Sequence, residues 1–302
     1  MSAVLGRERT PASPGPGPLP EALLRALDLK IGRRIDGLLA GEHRTAAIGV
    51  GTELAQIREW EPSDDVRRID WNATARSGQV QVRVDVAERA LTSWVLLDVS
   101  PSMRFGTADR RKWDVAEGAA VAIGHLASRR GNRIGVTTFG GSESMMLRPR
   151  QGRVGLLGVL LAVRRDPETE RVGPTSIGTA LTQVARIARQ RSMAVIVSDF
   201  RGPRDWRAPL LHLASRHAVI AVEVRDPREQ ELPPVGRMAM VDPESGARIE
   251  VDTADRRLRE RFALAARDDR GAVATALRRA GAEHVVLSTS GAWARQLGRR
   301  LA

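Results

Sequence analysis

The 302 residues are enough for one large domain, or for one domain with a smaller attachment. The chain has no cysteine, which excludes disulfides, thiolate metal ligands and a cysteine nucleophile. No run nears the roughly 18 to 20 consecutive apolar residues of a membrane helix, so we expect no membrane span and a cytoplasmic protein. The formal net charge of +12 comes from arginines spread along the chain, without a basic tract, and we expect no specific nucleic-acid partner.

The N-terminal part of the chain changes composition twice. Residues 1–20 interleave Pro with Gly and Ser, which is typical of a disordered tail. From Pro20 to Ala40 apolar residues recur at helical spacing, which predicts one or two amphipathic helices packed on the main domain rather than on a partner. The sequence thus indicates three parts: the tail, an N-terminal segment over residues 21–90, and an α/β domain over residues 91–302.

The stretch from Arg58 to Trp71 is rich in charged residues. Ser63 followed by two acidic residues is typical of a helix start, because the helix dipole favours acidic groups in the first turn. At helical spacing Asp64 would pair with Arg67 or Arg68. We therefore predict a salt-bridged structural turn. Its expected buried side consists of Trp60, Val66, Ile69 and Trp71.

Strands and helices alternate over the rest of the chain. Gln79 to Val86 reads as a half-buried strand, and the short connection to the apolar run Trp94–Asp98 is compatible with an antiparallel pairing of the two. Further predicted strands lie at 133–139, 145–147, 193–197, 218–224, 238–241, 248–251 and 284–287. Predicted helices lie at 113–129, 154–163, 176–190, 206–215, 254–280 and from 291 onwards. Strands separated by helices require crossover connections, so we predict an α/β fold with a mostly parallel sheet.

Several oxygen-bearing side chains follow the ends of predicted strands. The apolar run from Trp94 stops at Asp98, and Ser100 and Ser102 come directly after it. In open α/β sheets, ligands bind beyond the carboxyl ends of the strands. Thr175 lies in a loop that precedes a predicted helix, and Asp199 ends another apolar run. We expect both to lie at the same edge of the sheet as Asp98. We therefore predict a divalent metal site formed by Asp98, Ser100, Ser102, Thr175 and Asp199.

The residue types indicate which metal this site would hold. Mg²⁺ takes six oxygen ligands and keeps several waters, so two carboxylates and a few hydroxyls suffice, with Mn²⁺ as an alternative. Zinc is disfavoured because the chain has no Cys and these loops contain no His. Each residue alone is more simply explained as a cap of the next helix. The agreement of three loops in position favours the metal site.

These motifs resemble a known family. Asp98-x-Ser100-x-Ser102, Thr175 and Asp199 are similar to the metal-ion-dependent adhesion site of von Willebrand factor type A domains. The upstream stretch resembles the signature of the domain-of-unknown-function 58 family, bacterial proteins that carry such a domain. The matching residues are Arg58-Glu59-Trp60, Pro62, Asp64-Asp65, Arg67, Ile69-Asp70-Trp71 and Ala75-Arg76. The resemblance implies an open sheet with helices on both faces, plus a small N-terminal extension with helix and β-hairpin elements.

The resemblance also implies a function in recognition. In such domains the metal keeps one coordination position for a carboxylate of another protein, so the partner would offer an Asp or Glu. Family members look like accessory partners of MoxR-type AAA+ ATPases in the assembly or maturation of protein complexes. We therefore expect an interaction module and not an enzyme.

An enzymatic alternative stays open at this point. Asp98 beside Mg²⁺ could act as the nucleophile of a hydrolase or phosphotransferase. Such enzymes generally place a second carboxylate two residues further on, and here that position is Ser100. These loops also contain no His, Lys or Glu that would serve as a general base.

Overall fold

A computed structural model describes residues 4–5, 15–17, 53–62, 64–86, 91–106, 109–128, 132–164, 176–242 and 245–301. The chain divides into two compact units, one of residues 36–90 and one of residues 1–35 together with 91–302. The helix predicted between Pro20 and Ala40 lies outside the described residues. The three-part division of the chain therefore stays a prediction.

The described residues form eleven strands and seven α-helices. The strands are β1 (Val4–Leu5), β2 (Glu53–Glu59), β3 (Gln81–Val86), β4 (Thr92–Asp98), β5 (Arg133–Phe139), β6 (Met146–Gln151), β7 (Met193–Ser198), β8 (Ala218–Arg225), β9 (Arg237–Val241), β10 (Arg248–Asp252) and β11 (Glu283–Ser288). The helices are α1 (Trp71–Ser77), α2 (Lys112–Ala127), α3 (Gly152–Val163), α4 (Ile177–Ile187), α5 (Arg207–Ala214), α6 (Arg256–Arg279) and α7 (Trp293–Leu301). Short 3-10 helices cover Val66–Arg68, Pro101–Arg104 and Pro227–Glu229. Over these described ranges, no helix combines the length and the apolar content that a bilayer crossing requires.

The larger unit is built on a six-stranded sheet with the strand order β11-β8-β7-β4-β5-β6. All neighbouring strands are parallel except β5 and β6. β6 runs antiparallel because a short loop over residues 140–145, and not a helix, connects it to β5. A connection of that length can only bring the chain back in the opposite direction. The predicted mostly parallel α/β sheet is confirmed.

The central strand β4 is buried on both faces of this sheet. Trp94 and Leu96 belong to an apolar cluster formed with residues of α4, α5 and α6. Val95 and Leu97 alternate with them along the strand and are also buried, so they point to the opposite face. Helix α2 packs against β4 on that opposite face. Helices therefore cover both faces, as the family resemblance implied.

The smaller unit contains the antiparallel pair of β2 and β3. The pairing of β3 with β4 that the sequence allowed is not formed, because β4 pairs with β5 and β7 along its two edges. Asp70 caps α1 by accepting hydrogen bonds from the backbone N–H groups of Asn72 and Ala73, both at 3.0 Å. The same carboxylate pairs with Arg83 at 2.7 Å. Asp70 thus ties the helix to the hairpin.

The charged stretch before α1 folds differently from the prediction. Asp64 forms its hydrogen-bonded ion pair with Arg58, at 2.7 and 2.8 Å, and the charge of Arg68 has a smaller effect in lowering the pKa of Asp64. The 3-10 helix Val66–Arg68 begins at Asp65, whose carboxylate accepts a hydrogen bond from the Arg67 N–H at 3.0 Å. Because this helix covers only three residues, the spacing that would bring Asp64 to Arg67 does not arise.

The apolar residues of this stretch do not share one buried side. Val66 and Trp71 are 62 % and 70 % exposed, and for these two the prediction is wrong. Trp60 and Ile69 are partly buried, and Ile69 forms a β-bridge with Val82. A single continuous helix would place these residues on one face, whereas the chain turns at Ile69 between two short helices.

The described residues of the predicted tail contact the larger unit. Val4 and Leu5 pair antiparallel with β9, which also forms the predicted hairpin with β10. The carbonyl of Pro16 accepts a hydrogen bond from the Trp293 Nε1–H at 3.0 Å. These described residues therefore have backbone partners in the fold, whereas the disordered tail over residues 1–20 as a whole stays a prediction.

Candidate functional site

The predicted site residues lie where two central strands end side by side. Leu97 of β4 pairs with Val197 of β7, so Asp98 and Ser198 close neighbouring strands at the same edge of the sheet. Asp199 follows directly after Ser198. The four predicted residues at this edge are all buried, namely Asp98, Ser100, Ser102 and Asp199. Thr175 lies outside the described residues, and its role stays a prediction.

The loop after β4 groups three side chains by its own hydrogen bonds. The backbone N–H of Ser100 donates to Oδ1 of Asp98 at 2.9 Å. The hydroxyl oxygens of Ser100 and Ser102 lie 3.0 Å apart. Pro101 starts the 3-10 helix that sets this spacing, because its fixed φ suits the first position of a helix. A carboxylate and two hydroxyls are thereby gathered in one turn.

Gly140, directly after β5, lies against this loop. A Cβ atom at this position would lie 2.8 Å from Oδ1 of Asp98 and 2.9 Å from Cβ of Ser100. The φ of Gly140 is +88°, a conformation that other residues rarely adopt. The close approach and the backbone conformation both require glycine, which makes Gly140 part of the wall of the site.

Asp98 is poorly suited to carry its charge unaided. Burial, and then the charge of Asp199, raise the pKa of Asp98 to about 7. Hydrogen bonds from Ser198 and Ser100 act in the opposite direction and offset part of this effect. Without a nearby cation, a large fraction of Asp98 therefore carries a proton near neutral pH. A bound cation would favour the ionised form.

Asp199 differs from Asp98 because it already has cationic neighbours. Burial opposes its ionisation, but the charges of Lys112 and Arg201 outweigh burial and hold the pKa of Asp199 well below its usual range. Oδ2 accepts a hydrogen bond from Nζ of Lys112 at 2.5 Å, and Oδ1 accepts one from the backbone N–H of Arg201 at 3.0 Å. Asp199 is thus charged and engaged through both oxygens.

Two further residues of the site were missed by the sequence analysis. Lys112, the first residue of α2, is fully buried and also donates to Oε1 of Glu229 at 2.8 Å. Glu229 comes from the 3-10 helix after β8. The loops themselves contain neither a Lys nor a Glu, but neighbouring elements bring one of each. The sequence contains one feature that could have indicated Lys112. Lys30 and Lys112 are the only lysines in this arginine-rich chain.

The turn after β7 is held in an unusual conformation. Phe200 has a φ of 52°, in the left-handed region that is unfavourable for a large side chain. Its backbone N–H donates to the Ser198 hydroxyl at 2.9 Å. Its buried ring packs edge-on against Trp206, with 5.6 Å between ring centroids. These contacts fix the turn and so place Asp199 beside the loop of β4.

The donor set fits a magnesium ion. The grouped donors are all oxygens, as Mg²⁺ requires, and the Asp98 carboxylate is one that a cation would stabilise. Within the described part of the chain no three His, Cys, Asp or Glu residues form a cluster able to hold a metal, so the hydroxyls of Ser100 and Ser102 are needed. A zinc site would require other ligands.

Comparison with known proteins identifies relatives over most of the chain. A family model described as "Protein of unknown function DUF58" matches residues 56–272. Uncharacterised proteins of Mycobacterium bovis and Mycobacterium tuberculosis are each 40% identical to this chain over 272 residues. The aligned part covers 90% of this chain and 86% of each relative.

Solved structures show weaker likenesses. The conserved hypothetical protein BatB from Bacteroides thetaiotaomicron matches 70% of this chain and 97% of its own, with 13% identity and a TM-score of 0.46. A von Willebrand factor type A protein from Catenulispora acidiphila matches 48% of this chain and 35% of its own, with 17% identity and a TM-score of 0.36. No inference about ligands or partners follows from likenesses of this strength.

Proposed function

The chain belongs to the DUF58 family of proteins of unknown function, and we propose that it is a protein-interaction module whose binding depends on a divalent metal ion. The ion would be Mg²⁺, or Mn²⁺ in its place, at the carboxyl edge of the six-stranded sheet. The observation that carries this proposal is the buried group of oxygens from Asp98, Ser100 and Ser102 in a single turn.

Each of these residues has a distinct task in the proposal. The Asp98 carboxylate supplies the negative charge, and the Ser100 N–H orients it. The Ser100 and Ser102 hydroxyls supply neutral oxygens that retain lone pairs for a ligand. When bound, Mg²⁺ supplies a positive charge and an exchangeable coordination position. Thr175 is the expected additional ligand.

The proposed partner is a protein that presents an Asp or Glu side chain to this edge. In the turn of Asp98, Ser100 and Ser102 only one ligand is ionisable, so a dication held there keeps excess positive charge, which favours an acidic group of a partner. The net charge of +12 would also assist the approach of an acidic surface. From the family resemblance alone, a MoxR-type AAA+ ATPase is the candidate partner.

The same geometry supports hydrolase or phosphotransferase chemistry less well. As a nucleophile Asp98 would need a carboxylate oxygen directed at a substrate, but its two oxygens accept hydrogen bonds from the Ser100 N–H and the Ser198 hydroxyl. Lys112 and Glu229 bond to each other, so neither is free to act as a general base. The interaction module is therefore the better-supported function.

Affinity purification from the native host tests this function. Tagged wild-type protein would be incubated with lysate in Mg²⁺ and in EDTA, beside Asp98→Ala and a matched control, Glu260→Ala. Glu260 is an exposed carboxylate that pairs with Arg256 on α6, far in sequence from the site. We expect the same protein, identified by mass spectrometry, to be retained by wild type and Glu260→Ala in Mg²⁺ only.

The outcomes separate the competing functions. Retention that persists in EDTA or in Asp98→Ala would move the interface away from the metal. Turnover of a generic phosphoester that disappears in Asp98→Ala, without any retained protein, would favour the enzymatic alternative.

A further inference from the structure

Both carboxylate oxygens of Asp199 are engaged by groups of the chain itself. Oδ2 accepts from Nζ of Lys112 at 2.5 Å, and Oδ1 accepts from the Arg201 N–H at 3.0 Å. The backbone carbonyl of Asp199 in turn accepts a hydrogen bond from Arg270 at 2.8 Å. The residue is thus hydrogen-bonded through its side chain and its main chain, and it is buried.

The ammonium group of Lys112 also has several partners. Lys112 is fully buried and bonds to Oε1 of Glu229 at 2.8 Å as well as to Asp199. Nζ also lies 5.8 Å from the centre of the Phe105 ring, on the loop that follows Ser102. Arg201 Nε is 3.5 Å from the same Glu229 oxygen. Two cations therefore balance two buried carboxylates without any metal ion.

The family resemblance implies that Asp199 takes part in the ligand set, directly or through water, and this cluster conflicts with direct ligation. An ammonium at 2.5 Å occupies the oxygen that a metal ion would otherwise contact, and two cations at one carboxylate repel each other strongly in a buried site. Moving Lys112 aside would also break its 2.8 Å bond to Glu229, and so would separate a buried ammonium from two buried carboxylates at once.

We infer that Lys112 is the resident cation of Asp199, so that a metal ion at this edge is held by the Asp98, Ser100 and Ser102 turn while Asp199 serves as a positioning residue. The inference rests on the proposed function, because it concerns the ligands of the same metal site. Lys112 removes one negative charge from the site. It therefore weakens metal binding and leaves more of the ion's charge for an acidic partner.

Binding of Mn²⁺ alone tests this inference, with free Mn²⁺ counted by electron paramagnetic resonance. The variants are Lys112→Met, Asp98→Asn, Lys112→Met with Asp199→Asn, and Arg256→Met as the matched control. Arg256 also pairs with a carboxylate, Glu260, but at the surface. Unfolding in EDTA would be recorded for every variant. If Lys112→Met does not fold, Glu229→Gln is compared with the double variant Glu229→Gln and Lys112→Met instead. In that pair Asp199 is the one carboxylate whose bond to Lys112 is lost.

Asp199 is either a ligand of the metal ion or a positioning residue. The direction in which Lys112→Met changes the affinity for Mn²⁺ decides between these two roles. If the ion pair with Lys112 keeps Asp199 from binding the metal ion, Lys112→Met frees a carboxylate for the ion. The affinity for Mn²⁺ then rises by about tenfold. The added Asp199→Asn change then cancels this gain, and Arg256→Met leaves the affinity unchanged. If Lys112 instead orients Asp199 as a ligand, Lys112→Met weakens Mn²⁺ binding or leaves it unaltered, and the inference is overturned.

The same titrations distinguish this inference from the proposed function. Binding by wild type that is lost in Asp98→Asn, together with no gain in Lys112→Met, would keep the metal site and reject the role of Lys112. Binding by Lys112→Met but not by wild type would support the role of Lys112 and reject a metal-dependent function. Absence of binding in every variant would reject both.

A second measurement does not depend on any change of sequence. The chain has only two lysines, so selective isotope labelling of lysine gives a nuclear magnetic resonance spectrum in which the Lys112 ammonium can be assigned. We expect its protons to exchange slowly with solvent, because the group is buried and hydrogen-bonded, and to remain protected when Mg²⁺ is added. Loss of that protection on adding Mg²⁺ would show that the ion displaces Lys112 and would overturn the inference.

Discussion

The hydroxyl of Ser198 donates a hydrogen bond to Oδ2 of Asp98 at 2.5 Å and so joins the ends of β7 and β4. The same hydroxyl accepts the Phe200 N–H at 2.9 Å. Ser198 is therefore a link between the two loops of the site, although it was not among the predicted site residues.

Replacing Ser198 by Ala should destabilise the protein through Asp98. The change leaves a buried carboxyl oxygen and the Phe200 N–H without their partner, which costs about 1 to 3 kcal/mol of the free energy of unfolding. Denaturant unfolding measures this cost. In the matched control Ser245→Ala, an exposed hydroxyl loses its bond to Asp242, and we expect a change within about 0.5 kcal/mol. Equal costs in the two variants would contradict the linking role of Ser198.

Magnesium should stabilise the folded protein through Asp98. For an assumed dissociation constant near 1 mM, 10 mM Mg²⁺ adds about 1.4 kcal/mol, since the stabilisation is RT ln(1 + [L]/Kd). In a domain of this size that raises the melting temperature by roughly 3 to 5 °C. Differential scanning calorimetry with and without Mg²⁺ measures this shift in melting temperature. Glu260→Ala should keep the shift, whereas a full shift in Asp98→Ala would mean that the ion binds elsewhere.

The buried Glu223 should make stability depend on acid pH. Burial opposes its ionisation, but hydrogen bonds from His284 and Arg225, together with the charge of Arg270, lower the pKa of Glu223 to about 2. Because the pKa is lower in the folded than in the unfolded state, the stabilisation is complete above about pH 4.5. It is lost as the pH falls from there through 2, by about 3 kcal/mol in total.

Unfolding free energies measured between pH 7 and pH 2 check this dependence with two variants. Glu223→Gln should be less stable than wild type at pH 7 and should show a flatter decline below pH 4.5. Glu260→Gln, which alters an exposed carboxylate, should retain the wild-type slope. An unchanged slope in Glu223→Gln would show that other carboxylates account for the acid sensitivity.

Gly140→Ala should damage the site beyond its effect on the backbone. The new Cβ would meet Asp98 and Ser100 at distances under 3.0 Å, in addition to the strain of a positive φ. We expect a loss of about 2 to 4 kcal/mol of stability and of the Mg²⁺-dependent shift. Gly281→Ala is the matched control, since Gly281 has a φ of 80° but nothing within 4 Å of its Cβ position, and we expect about 1 kcal/mol there. Similar losses in both variants would show that backbone strain alone matters at Gly140.

Sequence periodicity was sufficient to predict a mostly parallel sheet. The run from Trp94 to Leu97 is apolar at every position because β4 is buried on both faces, and this requirement is visible without coordinates. The alternation with helices then dictated parallel neighbours. The stretch around Asp64 was predicted wrongly, because a short 3-10 helix and a long α-helix begin with the same capping residues and only the partner Arg58 reveals which is formed.

By itself the sequence determined that Asp98, Ser100 and Ser102 would share one turn, since their spacing along the chain fixes their proximity. Only the tertiary structure decided what Asp199 faces. Lys112 and Glu229 are separated from each other by 117 positions, and packing of α2 and the turn after β8 against the same edge brings them together. Ion pairs of this kind depend on distance and burial in space, and neither quantity is encoded in the local order of residues.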